Sequence, residues 1–493
     1  MCESVWILGD QLLHDHPGLA PGRHVVLIES LQHLQQRLHH KRKLGLILAA
    51  MRHYAIALRA QGYEVDLRTA PDFVTGLREH LAASGSTRLV CMAAAEYDTR
   101  QLQLHLAPML NTVVEVLPND QFLVTHYPPR RTPARMEPLY RALRRQTGLL
   151  LDANGEPEGG RWNFDADNRQ RYDGRPVPAL PTFVPDALTR SALNDVEALC
   201  PQAIGSTDGF ALPVTRAQAL AALDDFITHR LPDFGPFEDA MHSHEPVLFH
   251  SMLSPLINIG LLRPLEMCQA AVRAFYNGQA PLASVEGFVR QLIGWREYIY
   301  YRYWDMMPGL RDVNAWNHQR LLPAFFWNGA TDMHCLYHAI TRALRDGYTH
   351  HIERLMLICN FALLAGLQPQ AVNDWFTTCY IDAYEWVMLP NVLGMGLYAD
   401  GGVTATKPYI ASANYIQRMS NYCSTCRFNP KARVGADACP FNTLYWNFLI
   451  VHEARLRANP RLGPTVLGLR RFNPAQRAAI QAHARFVCEH VVQ

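Results

Sequence analysis
The sequence predicts a doubly wound parallel α/β sheet over residues 1–125, an irregular connector over 126–210 and an all-α domain over 211–493. Three observations predict it. Short β-branched apolar runs alternate with helix-period segments at the start of the chain, the β-α-β order of a parallel sheet. Proline and glycine then interrupt every long period between Pro128 and Pro185, which marks a chain draped over a surface. From Thr215 onward apolar residues recur at the helical period. A chain of 493 residues exceeds what one core organises.

Taken in order, Val5-Trp-Ile-Leu-Gly-Asp10 is an apolar run closed by a turn, and His24–Glu29, Glu64–Arg68, Leu89–Met92 and Val113–Leu117 are further strands. The Ala/Leu-rich stretch ending at Ala60 and the stretch Asp72–Ala83 are helices between them. Ligands on such sheets sit beyond the carboxyl ends of the strands, which singles out Gly9, Asp10, Gln11 and Glu29. No G-x-G-x-x-G or P-loop follows the first strand, so neither a dinucleotide nor a triphosphate is indicated. In the connector, Met136–Thr147 reads as a helix with Arg141, Arg144 and Arg145 on a solvated face. Trp162-Asn-Phe-Asp165 sets an acid beside aromatics, as a loop cap or a ligand of hydrated Mg²⁺. The last domain carries helical faces over Ala217–Leu231, Glu266–Asn277, Ser284–Tyr303, His334–Asp346, His351–Ala365, Pro369–Tyr380 and Pro474–Val491.

Composition narrows the function class. With 49% hydrophobic residues, 18% charged residues and a net charge of +2, the chain reads as soluble and globular. Any nucleic-acid binding must rest on a local basic surface. No apolar run reaches the ~18 residues that cross a bilayer. Eleven cysteines without a secretory leader point to a reducing, cytoplasmic setting.

Three of those cysteines form a motif. Cys423, Cys426 and Cys439 stand in C-x2-C-x12-C spacing that ends in Cys-Pro. Three thiolates and a distant fourth ligand, with Cys335, Cys359 and Cys379 as candidates, suit tetrahedral zinc or an iron-sulfur cluster. Elsewhere, Ser251 and Ser254 stand at a helix start, as caps or as holders of a diphosphate. Gln291-Leu-Ile-Gly-Trp-Arg-Glu-Tyr298 puts an amide, an indole and a guanidinium on one helix. The pair His350-His351 consists of side chains that titrate near working pH, as proton transfer requires.

In combination, Ser251-x-Leu253-Ser254, Gln291-x3-Trp295-Arg296-Glu297, Trp375 with Tyr380-Ile-Asp-Ala-Tyr-Glu-Trp386, and Leu389-Pro-Asn391 resemble the flavin-binding half of the photolyase/cryptochrome superfamily. Leu8-Gly-Asp-Gln11, His350-His351 and the cysteine loop narrow the resemblance to the bacterial iron-sulfur branch, the prokaryotic (6-4) photolyases and cryptochromes. It runs from the first strand to Trp446.

The resemblance implies an N-terminal antenna domain and a helical FAD-binding domain with an iron-sulfur loop. It implies light-driven repair of (6-4) pyrimidine-pyrimidone photoproducts in UV-damaged DNA by a monomer, with the lesion flipped out of the duplex. Its alternative within the branch is a blue-light receptor signalling to a protein partner. By resemblance, His351 donates a proton with His350 in support, and Trp375 and Trp327 are the proximal and distal members of an oxidisable chain. Phe376 stands where relatives carry Tyr. Ser251, Leu253, Ser254, Gln291 and Arg296 would address the diphosphate and ribityl parts of FAD, Asp382 and Asn391 its ring, and Thr406–Tyr409 with Tyr415 the mouth. Cys335 would complete a 4Fe-4S cluster with Cys423, Cys426 and Cys439. Asp10 and Glu29 match a 6,7-dimethyl-8-ribityllumazine antenna site, although Leu31–Leu38 lacks the acid and tyrosine of relatives. Dependence on a divalent cation such as Mg²⁺ would involve Asp165.

Overall fold
The computed structural model describes residues 2–133 and 135–490. Its strands β1 (Glu3–Trp6), β2 (His24–Ser30), β3 (Val65–Ala70), β4 (Arg88–Met92) and β5 (Val113–Leu117) form one parallel sheet in the order β3-β2-β1-β4-β5. Val5 on β1 lies between Val25 on β2 and Val90 on β4. Alternate side chains enter two cores: Val5, Val25 and Leu27 one, and Trp6, Val26, Ile28 and Leu89 the other. That is the period of a strand buried on both faces. Strand β1 stops at Trp6 rather than at Asp10, because the chain turns where the Gln11 amide donates to the Leu8 carbonyl at 2.9 Å. This turn presses on the helix Lys41–Ala60, and a Cβ on Gly9 would lie 2.8 Å from Met51 Sδ.

The first core continues from the sheet into the helical domain. At the joint Phe122 stacks on Tyr300 with centroids 3.5 Å apart, and the Val124 amide donates to the Glu297 carboxylate at 2.9 Å. Tyr303 donates to Glu385 at 2.6 Å while accepting from the Tyr97 amide at 2.7 Å. The Leu12 amide donates to the Ile259 carbonyl at 2.8 Å. Gly260 makes this approach possible: its φ is +85°, and a Cβ would stand 2.9 Å from the Leu12 nitrogen.

Two long helices of the first 210 residues were not expected. Tyr97–Leu110 completes the alternation between β4 and β5, and Ala187–Leu199 interrupts the connector. Asp186 caps the latter by accepting from the Thr189 amide at 2.8 Å, a signal masked by the prolines before it. That helix packs on Lys41–Ala60, where a Cβ on Gly45 would sit 2.5 Å from Leu193. Arg144 also departs from the solvated-face reading. It is buried, and its guanidinium donates to the carbonyls of Leu149 at 3.2 Å and Trp162 at 3.1 Å.

The helical domain follows the sequence period closely, with Arg216–His229, Pro264–Tyr276, His334–Asp346, Pro369–Cys379 and Pro474–His490 formed as expected. Val491 lies outside the described residues. The departures are three π-helical segments, Arg290–Trp295, Arg354–Cys359 and Pro390–Gly396, within or at the end of otherwise α-helical runs. Such segments concentrate at functional sites.

Candidate functional site
Asp382 is the hub of a buried polar group. Arg354, the first residue of the second π segment, grips its carboxylate with two N–H donors at 2.9 and 3.1 Å. Ser254 donates to the same carboxylate at 2.7 Å, and the Asn258 amide donates to the Asp382 carbonyl at 2.9 Å. The Arg354 guanidinium lies 3.9 Å over the Tyr380 ring. The loop that delivers Ser251 and Ser254 contains Leu248 and Met252 at φ 49° and 58°, left-handed conformations that cost non-glycine residues about 1–3 kcal/mol each. Gln291 lies on the first π segment and Asn391 on the third, where the Asn391 amide donates to the Val387 carbonyl at 2.9 Å. The widened turns thus collect at the segments that the resemblance assigned to flavin.

The histidine pair begins the helix that runs into Arg354. His351 is exposed to solvent at that helix start. His350 is fully buried, and neither of its ring nitrogens has a hydrogen-bond partner among the described residues. A third histidine joins them: His250 stacks on His350 at 4.5 Å and meets His351 edge-on at 5.3 Å. Burial, with the cations Arg354 and Arg290 nearby, pushes His351 down to about 4. His350 is held well below its usual value, chiefly by burial. Burial and neighbouring cations thus act to lower both histidines in the protein alone.

Trp375 is completely buried, and its indole N–H donates to the Phe326 carbonyl at 2.7 Å. The next residue, Trp327, is 46% exposed. One hydrogen bond and one peptide therefore lead from a buried indole to a surface indole. Phe376 stacks on Tyr380 at 5.3 Å, and Tyr380 lies 5.9 Å from Trp375.

Two expected residues lie in other surroundings. Arg296 is wedged into the domain joint, 4.1 Å over Phe122 and 5.1 Å over Trp386, and donates to the Gln121 carbonyl at 3.0 Å. Asp165 accepts from Arg169 and, at 3.4 Å, from Arg290, so its oxygens already face cations. Among the described residues no group of three or more His, Cys, Asp or Glu is placed to hold a single metal ion.

Cys335, Cys423, Cys426 and Cys439 nevertheless line one small cavity, walled by Met333, Ile416, Phe428 and Phe441. Cys335 lies in the first turn of its helix and Cys439 caps the helix Pro440–Val451, positions where amide dipoles favour thiolate. As free thiols Cys335, Cys423 and Cys439 are pushed up, chiefly by burial and further by neighbouring cysteines, Cys439 to about 12. The loop is closed on itself by Asn429, whose amide donates to the Asp437 carbonyl at 2.7 Å and whose carbonyl accepts from the Cys439 amide at 3.1 Å.

At the carboxyl ends of β1 and β2 lies a larger cavity of about 1190 Å³, open to solvent and lined by Asp10, Glu29, His33, His39, Lys43 and Glu96 among others. Glu29 is tied to Arg52 at 2.7 and 3.0 Å. Asp10 has no such cation, and burial with Glu96 nearby pushes it up to about 7. Lys43 is pushed down to about 8 by burial.

Residues 5–212 match the family model described as deoxyribodipyrimidine photo-lyase-related protein. Over 98% of both chains the sequence is 43% identical to a (6-4) photolyase of Agrobacterium fabrum. The chain belongs to the (6-4) photolyase family. A crystal structure of a bacterial class III photolyase from Agrobacterium tumefaciens superposes with TM-score 0.55 at 17% identity, covering 98% of this chain and 89% of that one. A Synechocystis cryptochrome superposes with TM-score 0.61 at 13% identity, covering 97% and 93%. These two share the fold of the family. Membership implies FAD. No helix among the described residues is long and apolar enough to cross a membrane.

Sequence reasoning missed Arg354, His250 and Glu353. Arg354 had a signal, since it lies three residues after His351 on one helical face. His250 had none, because only the tertiary fold brings it beside the pair.

Proposed function
We propose that this protein is a light-driven (6-4) photolyase. The observation that carries the reading is that His351 begins the helix whose Arg354 grips Asp382, a carboxylate that Ser254 also bonds, in a chain so similar over its whole length to a (6-4) photolyase. That full-length match favours repair over blue-light signalling.

FAD would be held by Ser251, Leu253, Ser254 and Gln291 at its phosphate and ribityl parts and by Asp382 and Asn391 at its ring. The fit rests on chemistry: hydroxyls at a strained helix entry, and a carboxylate whose charge Arg354 neutralises. Arg296 is left to the domain joint. When bound and reduced, FAD supplies the photoexcited electron to the lesion. Trp375 relays electrons inward from the surface at Trp327, and Phe376 forces that hop to bypass a tyrosine. His351 then gives its proton to the flipped base. Phosphates of DNA brought beside His351 raise its affinity for a proton, so the acid is armed by its substrate.

The four cysteines would hold a 4Fe-4S cluster. An apolar cavity lined by four thiols and no other ligand type suits iron and sulfide. The cluster would brace two helix starts and the loop between them. The polar cavity at the sheet ends suits a ribityl-bearing heterocycle such as 6,7-dimethyl-8-ribityllumazine, with Asp10 as its free carboxyl. Asp165 remains a partner of arginines, and no step is assigned to Mg²⁺.

The test is illumination of the purified, photoreduced protein with an oligonucleotide carrying one (6-4) lesion. Restored thymines are expected. A lesion left intact under reducing conditions sinks the reading.

A further inference from the structure
Behind the histidine pair lies a buried acid with no role so far. Glu353 is completely buried, and its Oε1 accepts from Arg342 at 3.0 Å and from the Tyr422 hydroxyl. The same oxygen stands 3.9 Å from His350 Nε2. Arg342 also donates to Tyr422 Oη at 3.1 Å and to the His242 carbonyl at 2.9 Å. Tyr422 adjoins Cys423, and its carbonyl accepts from His334 Nδ1 at 2.9 Å.

The neighbourhood is anomalous in its unpaired atoms. His250 Nε2, both nitrogens of His350 and Glu353 Oε2 are buried without a partner among the described residues. Leaving a buried polar atom unpaired costs about 1–3 kcal/mol, and four in one spot mark a place built for something other than stability. The other charged groups around the cluster are Arg342 from helix His334–Asp346, Arg354 from the helix of the pair itself with Asp382 on its far side at 2.9 Å, and Arg290 toward His351 with Glu238 beside it at 3.7 Å. Tyr422 is the remaining titratable neighbour, donating to Glu353 from the cysteine-loop side.

We propose that Glu353 is the positioning residue of the histidine pair, the buried carboxylate nearest His350 Nε2, which lets the His250–His350–His351 cluster hold the proton that it lends during repair. Atoms balance simply. His351 lends one proton to the lesion and becomes neutral, and it recovers one when the bases are restored, because the lesion and the two thymines are isomers. The resulting cation is shared with His350, whose Nε2 faces Glu353. Arg342 and Tyr422 fix the carboxylate and hold the acid at the inner end of the cluster. This inference rests on the repair reading above.

The experiment is the pH dependence of (6-4) repair by the flavin-loaded, photoreduced protein, for wild type, Glu353→Gln and Glu353→Asp. Removing the negative charge lowers the cluster's affinity for protons. In Glu353→Gln the limb on which repair declines with rising pH therefore moves about one unit lower, a loss of about tenfold along that limb. Glu353→Asp keeps the charge and keeps the wild-type limb. Flavin content and photoreduction without DNA stay unchanged in both, which separates a protonation effect from damage to the fold. A Glu353→Gln profile that superimposes on wild type overturns the inference alone. So does an equal loss in both variants with no movement of the limb. A wild-type protein that restores no thymines removes the repair reading and this inference with it.

Discussion
The cysteine cavity and the histidine region are built in opposite ways. The cavity takes three ligands from seventeen consecutive residues and one from a helix start, inside apolar walls. The histidine region draws Ser254, His351, Arg354 and Asp382 from three stretches of chain, one of which carries a π turn. Strained backbone and the unpaired histidine nitrogens lie in this region. Under the function proposed above, the difference means that the cavity would hold something still and the histidine region would move a proton and an electron.

If so, damage to the cavity costs the protein and damage to the histidine region costs only the reaction. Cys439→Ser should have the largest effect, because the free energy of a structural metal site is folding free energy, on the order of 10 kcal/mol. Visible absorption of the cluster and soluble yield should both fall; a variant that folds normally and lacks iron would refute the bracing role. His351→Asn should cut repair by at least about 100-fold, within the range for loss of a general acid, while flavin absorption stays as in wild type. Flavin loss in that variant would make the histidine structural.

Smaller effects follow at the electron path and the sheet end. Trp375→Phe should slow flavin photoreduction several-fold and more than Trp327→Phe does, whereas Phe376→Tyr should speed it; flash photolysis gives the order. Asp10 is pushed from 3.8 to about 7, so its contribution is present below pH 4 and lost as pH rises through 7. Asp10→Asn should melt like wild type at pH 4 and higher by about 4 °C at pH 8. Equal melting at both values would mean that the carboxyl is not held in its neutral form.

Much of this was legible in the residues, unevenly. The five strands and most helix bounds followed from period and turn chemistry, because burial on both faces leaves few alternatives for β-branched runs. The cysteine cavity was legible because its ligands are close in sequence. The connector helix Ala187–Leu199 was hidden, since the prolines before it mask a capping aspartate. Arg296 was misjudged for a different reason. The resemblance assigned it to FAD by motif alone, and in the fold its guanidinium lies over Phe122 at the domain joint. His250 and Glu353 were illegible, because each has meaning only beside His350.

The π turns carry a consequence for how this chain tolerates changes in length. In a regular helix each residue advances the face by about 100°, so inserting one turns everything downstream onto the wrong side. A π turn absorbs one residue as a local bulge instead. Deleting a single residue within Arg290–Trp295 would therefore relax that segment to regular helix and leave the far end, with Tyr300 and Tyr303, facing the sheet domain as before. Gly294 itself is not the residue to lose, since it alone leaves room for Met136 Sδ, 2.9 Å from where a Cβ would stand.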